Sequence, residues 1–568
     1  MKSKKILNKV EEFQYDHIYD IFKKYFKFEE AKFQYFIKDI IKVLIEFEKK
    51  GETIIDVDKV QINFDLFKEG WPDKHLKYLN QIVLNNSSKF PIFINNRKIG
   101  WSKWINKLDL VTNKLLNKIN LEKKESLQKD LFDGEYIVDN IINIFKFSNL
   151  VLLEGGPGTG KTTLVINLIL NLLKNNSYLN IGLSAPTGKA TARLKETLNY
   201  RVEKQNINSG IIECQTLHSW IYNSNNMSGK LKLNLKDLDI MIIDECSMLS
   251  INILESVLEL INRDCKLILV GDANQLPPIN SCSIWNNIFE NKKEVLFKPC
   301  IVNLKKIYRN NGKIQELSKL IFQDNKVLFN QKVNQIINSN SKTNVNIEIS
   351  RNKNLPQKLI KEVISFTKNL KIKTLKLSSK KYIFDNNIDN LLDFEKELVM
   401  DIFSILNSQL ILCPRNTGTW SIKDVNSIVL KEKEPYDFLK IDEGIPIMCT
   451  ENNNELGISN GDIGVLIGRN KNRRFLFRKF NKNNEPVVAL IQPHRLENIV
   501  PAIAITIHKS QGSESKKVMI LWNKDNKYLD KEDFSFKDFV FFRDKYEKRL
   551  LYTAITRARE NLDLFYLD

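Results

Sequence analysis

The stretch Leu150-Val151-Leu152-Leu153-Glu154-Gly155-Gly156-Pro157-Gly158-Thr159-Gly160-Lys161-Thr162-Thr163 decides how the rest of the chain is read. Four apolar residues read as a buried strand, a glycine-rich turn follows, and residues 163–173 carry helical periodicity. Residues 155–162 satisfy G-x-x-x-x-G-K-[ST] between that strand and that helix. Glycines let loop N–H groups approach and cradle phosphates, Lys161 is placed for the β- and γ-phosphates, and the Thr162 hydroxyl for Mg²⁺. The nucleotide set is therefore Gly155, Gly156, Pro157, Gly158, Thr159, Gly160, Lys161, Thr162 and Thr163, which predicts a bound nucleoside triphosphate.

Three more short apolar runs follow: Ile181-Gly182-Leu183-Ser184, Ile240-Met241-Ile242-Ile243 and Leu267-Ile268-Leu269-Val270. Runs alternating with longer helical segments predict an α/β fold with a parallel sheet, and ligands bind beyond the carboxyl ends of such strands. Ile242-Ile243-Asp244-Glu245 delivers two acids to that edge. Asp244 is placed to hold Mg²⁺ and Glu245 to orient and deprotonate an attacking water, so hydrolysis is expected as well as binding. Gly271-Asp272-Ala273-Asn274-Gln275-Leu276-Pro277-Pro278 ends the next strand with a further Asp and Gln.

Taken together these motifs resemble superfamily 1 helicases. Further segments follow in the same order: Ala185-Pro186-Thr187-Gly188-Lys189-Ala190, Thr216-Leu217-His218, Leu304-Lys305-Lys306-Ile307-Tyr308-Arg309, Thr506-Ile507-His508-Lys509-Ser510-Gln511-Gly512-Ser513-Glu514 and Leu551-Tyr552-Thr553-Ala554-Ile555-Thr556-Arg557-Ala558-Arg559. Their wording, with Asn460-Gly461-Asp462-Ile463-Gly464 and Gln492-Pro493-His494-Arg495-Leu496, is most similar to the RecD branch over about residues 145–568.

The resemblance implies ATP and Mg²⁺ as cofactors, with Thr162 and Asp244 on the metal and Gly512 on the nucleotide side. It implies catalytic roles for Lys161, Asp244, Glu245, Gln275, Arg309 and Arg557, the arginines stabilising charge on the transferring phosphoryl group. Single-strand contacts would come from Pro186, Thr187, Lys189, Thr216, His218, Thr506, His508, Ser510 and Gln511. The implied fold is two RecA-like parallel-sheet motor domains, 116–325 and 326–568, with a small β-barrel inserted at about 430–500 and an α-rich partner-docking domain at 1–115. The implied activity is ATP-driven 5′→3′ movement on DNA within a RecBCD-type helicase–nuclease that processes double-strand ends. Its partners would be single- and double-stranded DNA and RecB-like and RecC-like chains in a heterotrimer, the nuclease residing in the RecB-like chain. A nucleotide-gated scaffold and a stand-alone DNA or RNA helicase of the same superfamily remain as alternatives.

Two departures stand out. Such helicases carry a Gln upstream of the phosphate loop to read adenine, whereas this chain reads Tyr136-Ile137-Val138-Asp139-Asn140 there, its nearest preceding Gln being Gln128 and Asn140 a possible substitute. Where relatives insert a strand-separating hairpin, residues 219–239 are short and polar, with Lys230-Leu231-Lys232-Leu233 as a candidate strand.

Composition sets the bounds. The 568 residues, 42% hydrophobic and 27% charged, exclude wholesale disorder and require several domains. Lys and Arg number 87 against 68 Asp and Glu, a net charge of +19 that suggests a polyanionic partner, although lysines and acids alternate over most of the surface. Seven scattered cysteines without C-x-x-C spacing indicate neither a zinc site nor a disulfide framework, as expected in a reducing cytosol. The charged N-terminus has no apolar leader and the apolar run 164–173 is too short to span a bilayer, so a soluble cytoplasmic protein, not a membrane protein, is expected. The hairpin-like segment 91–99 carries no chemistry. Residues 334–346, rich in Asn and Ser, read as a linker or insertion. The basic run Arg469, Lys471, Arg473, Arg474, Arg478, Lys479 and Lys482, interleaved with Phe475, Phe477 and Phe480, reads either as a base-stacking strand or as a half-buried strand, and its alternation favours the second.

Overall fold

The structure, a computed structural model, describes residues 17–24, 31–59, 70–86, 90–120, 137–205, 212–226, 233–279, 281–290, 294–306, 308, 312–323, 326–338, 344–384, 391–430, 436–453, 455–480, 486–523 and 545–568. Near the N-terminus β1 (Ile54–Asp56), β2 (Ile92–Asn95) and β3 (Lys98–Trp101) form an antiparallel sheet ordered β1-β3-β2. A two-residue turn joins β2 to β3, and Asn96 supplies its left-handed conformation with φ 53°. Helices Ala31–Lys49, Asp73–Asn86 and Ser102–Leu116 cover this sheet. In the last of these, Trp104, Leu108, Val111 and Leu115 recur at helical spacing and are buried. They share one apolar cluster with Leu254 and Val257 of helix Ile251–Leu260 and with Leu269 of the next sheet. Lys107–Glu255 (2.7 Å) and Lys114–Glu259 (2.8 Å) border the seam, and Lys118 Nζ donates to the carbonyls of Arg263 (3.2 Å) and Cys265 (3.0 Å). The N-terminal region is therefore packed onto the face of the sheet that carries the phosphate loop.

That sheet has six parallel strands: β4 (Leu150–Gly155), β5 (Ile181–Ser184), β6 (Ile212–Cys214), β7 (Ile240–Ile243), β8 (Lys266–Gly271) and β9 (Ile301–Leu304), ordered β6-β5-β7-β8-β4-β9. Successive side chains point to opposite faces, so Leu150 and Leu152 join the N-terminal cluster while Val151 and Leu153 meet Val165, Leu168 and Ile169 of helix Lys161–Asn175. Both faces are covered, which is why these strands read as continuous apolar runs.

A second parallel sheet contains β10 (Val345–Ser350) and β11 (Gln409–Cys413). Between β11 and its remaining strands lie β12 (Pro446–Cys449), β13 (Ile463–Ile467), β14 (Arg474–Phe480), β15 (Pro486–Ile491) and β16 (Ile499–Pro501), and the chain then completes the sheet with β17 (Ile505–Thr506), β18 (Ser515–Asn523) and β19 (Ala558–Leu567), ordered β10-β19-β18-β11-β17. Of the stretch 334–346, expected as a linker or insertion, residues 334–338 end helix Lys326–Asn338, in which Phe329, Val333 and Ile336 are buried, and β10 begins at Val345, paired with Leu562, whereas 339–343 lie outside the described residues. Asn-rich composition hides these few apolar positions, and the second sheet begins at β10, within the expected 326–568 domain.

The inserted strands β12–β16 form an antiparallel sheet ordered β15-β14-β13-β12-β16. It is covered on both faces. Phe475 and Phe477 pack with Ile411, Met519 and Phe565, whereas Val465, Ile467 and Leu476 pack with Phe366 and Leu370 of helix Gln357–Ser378 and with Leu398 and Ile402 of helix Leu392–Ser408. Phe475 and Phe477 are buried and so not open to bases, and on the alternate face Leu476 is buried between the half-buried Arg474 and Arg478. The basic run instead fastens the insert. Arg473 donates to the carbonyls of Gly468 (2.6 Å), Leu439 (3.1 Å) and Ile441 (2.6 Å), Arg469 pairs with the buried Glu443 (3.3 Å), and Lys479 Nζ donates to Leu456 O (3.1 Å). Lys482 lies outside the described residues. Among the described residues no helix is long and apolar enough to cross a membrane.

Candidate nucleotide and strand site

β4 delivers the chain to the phosphate loop, where Gly158 (φ 76°) and Gly160 (φ 79°) take left-handed conformations that side-chain-bearing residues rarely adopt. Thr159 Oγ1 donates to Gly156 O (2.8 Å) and pins the loop. Lys161 opens helix Lys161–Asn175 and folds its ammonium back onto Gly155 O (2.6 Å) and Gly156 O (3.2 Å). Thr163 is exposed on the first turn.

Beyond β7, the Asp244 N–H donates to Ser184 O (2.9 Å), continuing the β5–β7 ladder, and Thr162 Oγ1 donates to Asp244 Oδ2 (3.1 Å). The two oxygen donors expected to share a divalent cation thus stand side by side, and two hard oxygens of this kind suit Mg²⁺. Burial, then the charge of Glu245, raises the Asp244 pKa to about 6, against the pull of Lys161. Glu245 has φ 55°, its N–H donates to Asp244 Oδ1 (2.8 Å), and its buried Oε2 has no protein partner.

Asp272 follows β8 and is fully buried, with burial raising its pKa. It accepts from the Asn274 N–H (2.9 Å) and from Gln275 Nε2 (3.4 Å), which leaves the buried Gln275 Oε1 unpartnered at the edge of the site.

The second sheet reaches this cluster through helix Lys545–Ile555. Tyr552 OH donates to Asp272 Oδ2 (3.1 Å), Thr553 Oγ1 accepts from the Leu276 N–H (3.3 Å), and Arg549 donates to Ala273 O (3.3 Å). Arg557 is 3% exposed and donates to Thr553 O (3.0 Å) and Ser513 O (3.3 Å). Burial lowers its pKa while the charges of Glu245, Glu514 and Asp272 support the cation, so it stands within electrostatic reach of the candidate base. Arg309 lies outside the described residues, although the N–H of its neighbour Tyr308 donates to Gly158 O (2.9 Å). A cavity of ≈ 270 Å³ lies between Gly156, Pro157 and Thr159 on one side and Ile314, Gln315 and Ser318 on the other, with Tyr552 and Thr556 at its wall.

Sequence reasoning did not single out Tyr552, Thr553, Arg549 or Glu154. Glu154 accepts from the Ala273 N–H (3.0 Å) and from Trp285 Nε1 (2.9 Å), tying β4 to the loop after β8. Burial and the neighbouring Asp272 carry its pKa up to about 8. Nothing in a glycine-loop pattern marks the residue before it, because the pairing partner is far away in sequence.

The expected strand residues divide into two groups. Pro186, Thr187 and Lys189 are half-buried beside helix Gly188–Gln205, whose Ala190 N–H is capped by Thr187 Oγ1 (3.2 Å). His218 is exposed, and Thr216 Oγ1 bonds Ser219 Oγ (2.9 Å). By contrast Thr506, Ser510 and Gln511 are buried: Ser510 Oγ donates to Ile507 O (2.6 Å), and Gln511 Nε2 donates to Leu276 O (3.1 Å), which ties the two sheets together. His508 Nε2 meets Tyr546 OH at 2.9 Å, and burial lowers its pKa. Gly512 (φ +73°) lies against Ala190 and Thr187. Asn140 sits half-buried on helix Ile137–Ile144, whereas Gln128, Tyr136 and Lys230-Leu231-Lys232 lie outside the described residues and Leu233 is buried.

Comparison with known proteins places these features. Residues 140–281 match the family described as AAA domain. The chain is 30% identical over 541 residues to the RecBCD enzyme subunit RecD of Buchnera aphidicola subsp. Acyrthosiphon pisum, covering 88% of this chain and 84% of that one. It is 29% identical over 589 residues to the same subunit of Buchnera aphidicola subsp. Schizaphis graminum, covering 93% and 92%. Among solved structures, a Pif1 helicase from Bacteroides in complex with ADP-AlF3 and ssDNA aligns with 77% of this chain and 92% of its own at 18% identity and a TM-score of 0.39.

Proposed function

The chain belongs to the RecD family, and from that membership we propose that it is an ATP-dependent DNA helicase that moves 5′→3′ as the RecD-type subunit of a RecBCD-type helicase–nuclease. The observation that carries the motor reading is Tyr552, on the helix before the last strand of the second sheet, bonded to Asp272 at the end of the first, with the charge of Glu245 supporting the Arg557 cation. Groups from both sheets converge on one phosphate loop. Nucleotide charge can therefore draw the halves together, and its loss can release them.

In this reading Lys161 exchanges the Gly155 and Gly156 carbonyls for the β- and γ-phosphates, while loop N–H groups hold their oxygens. Thr162 and Asp244 would hold Mg²⁺, which when bound neutralises charge developing between the phosphates. Glu245 orients the attacking water through its unpartnered Oε2 and takes its proton. Gln275 turns its free Oε1 to the same water and reports the nucleotide state to Asp272. Arg557 leaves the Thr553 and Ser513 carbonyls to stabilise the transferring group, and Arg309 is proposed for the same charge.

Thr187, Lys189, Thr216 and His218 are proposed for the strand, with Pro186 shaping that wall. The name of these relatives, RecBCD enzyme subunit RecD, supports RecB-like and RecC-like partners, and double-strand ends are the substrate proposed for that assembly. ATP hydrolysis measured with and without single-stranded DNA, alone and with copurified partners, tests the reading. DNA-stimulated hydrolysis is expected, and hydrolysis indifferent to DNA in both preparations would contradict it.

A further inference from the structure

Glu154 is the acid of β4 and stands directly before Gly155, the first residue of the phosphate loop. By strand alternation it lies on the same face as Leu150 and Leu152, which join the apolar cluster that also holds Trp285 of helix Ile284–Glu290. A carboxyl group on such a face is costly unless its oxygens are bonded, and each of the two meets an N–H. Oε1 accepts from the Ala273 N–H (3.0 Å) and Oε2 from Trp285 Nε1 (2.9 Å). The indole that makes the second bond is itself wedged in place, so close to the end of β8 that a Cβ on Gly271 would stand 2.7 Å from its Cε2.

Ala273 is held from both sides. Its N–H goes to Glu154, and its carbonyl accepts from Arg549 (3.3 Å) of helix Lys545–Ile555. The same turn carries Asp272, which accepts from Tyr552 OH (3.1 Å), and Gln275, whose N–H donates to Asp272 O (3.1 Å) and whose Nε2 donates to Asp272 Oδ2 (3.4 Å). One carboxyl group thus ties the strand that enters the phosphate loop to the turn that presents Gln275, at the point where the second half of the molecule also takes hold.

We propose that Glu154, held by Trp285, is a positioning residue for ATP hydrolysis, setting the 272–275 turn against the phosphate loop through Ala273 and so fixing where Gln275 meets the reacting phosphate. The inference rests on the ATP-hydrolysis reading above and deepens it. Glu154 acts through the turn and not on the nucleotide, so its loss lowers turnover and spares nucleotide binding, which Lys161 and the loop N–H groups provide. A displacement of about 1 Å in such a supporting element is enough to lower a rate roughly 10²-fold.

The test is steady-state ATP hydrolysis by the full chain, alone and with copurified partners, with a saturating dT oligonucleotide and with kcat and KM separated. Equilibrium binding of a fluorescent ATP analogue is measured beside it for wild type, Glu154→Ala, Glu154→Gln, Trp285→Phe and the double variant of the last two. Glu154→Ala is expected to lower kcat roughly 10–100-fold, with nucleotide affinity within about twofold of wild type. The amide of Glu154→Gln keeps one oxygen for two N–H groups, so kcat is expected to fall by a smaller factor, roughly three- to tenfold. In the Trp285→Phe background only the Ala273 N–H remains and one oxygen serves it, so Glu154→Gln is expected to cost less than about twofold there. That cycle carries the test where Glu154→Ala does not fold. Wild-type hydrolysis with kcat unchanged by Glu154→Gln and Glu154→Ala overturns the positioning role and leaves the ATP-hydrolysis reading intact. An equal effect of Glu154→Gln in both backgrounds overturns it too, as does a loss of nucleotide affinity as large as the loss of kcat, because the effect is then general damage to the loop. Absence of ATP hydrolysis by wild type in both preparations overturns the ATP-hydrolysis reading and the positioning role with it.

Discussion

Tyr552 OH donates to Asp272 Oδ2 at 3.1 Å, joining the last helix of the second sheet to the loop that leaves the first. Its oxygen also lies 3.3 Å from where a Cβ on Gly156 would stand, so one hydroxyl touches the loop after β8 and borders the phosphate loop. Tyr552→Phe removes the bond and keeps the ring. The folded state should lose about 1–3 kcal/mol, because a buried carboxylate gives up a donor. Turnover should fall roughly tenfold with nucleotide affinity little changed. Denaturant unfolding and steady-state ATP hydrolysis check the two parts.

Glu245 and Arg557 should separate binding from hydrolysis. Glu245→Gln should lower kcat by roughly 10²–10⁴ while nucleotide still binds, since only proton transfer is removed. Arg557→Ala should lower kcat by about 10³ or more. Single-turnover hydrolysis beside equilibrium binding of a fluorescent ATP analogue makes the comparison.

Glu154 gives the chain a pH signature. Its pKa rises from the ordinary 4.5 to about 8 in the fold. Between those values the folded chain holds a proton that the unfolded chain has released, so raising pH through the window lowers stability, and the loss levels off above about 8. Asp244, raised to about 6, adds a smaller change of the same sign. In Glu154→Gln the Tm should start lower, because one of the two N–H groups facing residue 154 loses its acceptor, and should fall less steeply with pH. Thermal unfolding between pH 5 and 9 measures both slopes.

The N-terminal seam should depend on its apolar residues and not on its ion pairs. Leu108→Ala should cost about 2–5 kcal/mol, as a buried leucine in a shared core. Lys114→Ala should cost about 1 kcal/mol or less, because its partner Glu259 is exposed. Urea midpoints of the two variants test the contrast.

Phosphate chemistry made most of the site readable. Gly158, Gly160, Lys161, Thr162, Asp244 and Gln275 are confined to particular residue types at fixed distances from strand ends, so they are legible without coordinates. Glu154 was not, because what defines it is the indole of Trp285, far along the chain. Ser510 and Gln511 are expected on the strand from their motif, and what the motif does not reveal is that their side chains bond the carbonyls of Ile507 and Leu276. A motif fixes where the backbone runs more firmly than which way each side chain turns. β10 was hidden for a different reason, since Val345 and Ile347 are its two buried apolar residues in an Asn-rich stretch. In the basic run 469–482 the alternation favours a half-buried strand over a base-stacking one, and just before β14 Arg473 and Arg469 serve carbonyls and an acid within the fold.

Translocation on single-stranded DNA in a single turnover, comparing wild type with Lys161→Gln in the assembled complex, addresses the motor directly. Wild type should advance along the strand at a rate set by ATP concentration, and Lys161→Gln should bind the strand without advancing. Equal movement by both, or no movement attributable to this chain in the wild-type complex, would contradict an ATP-driven motor built on this phosphate loop.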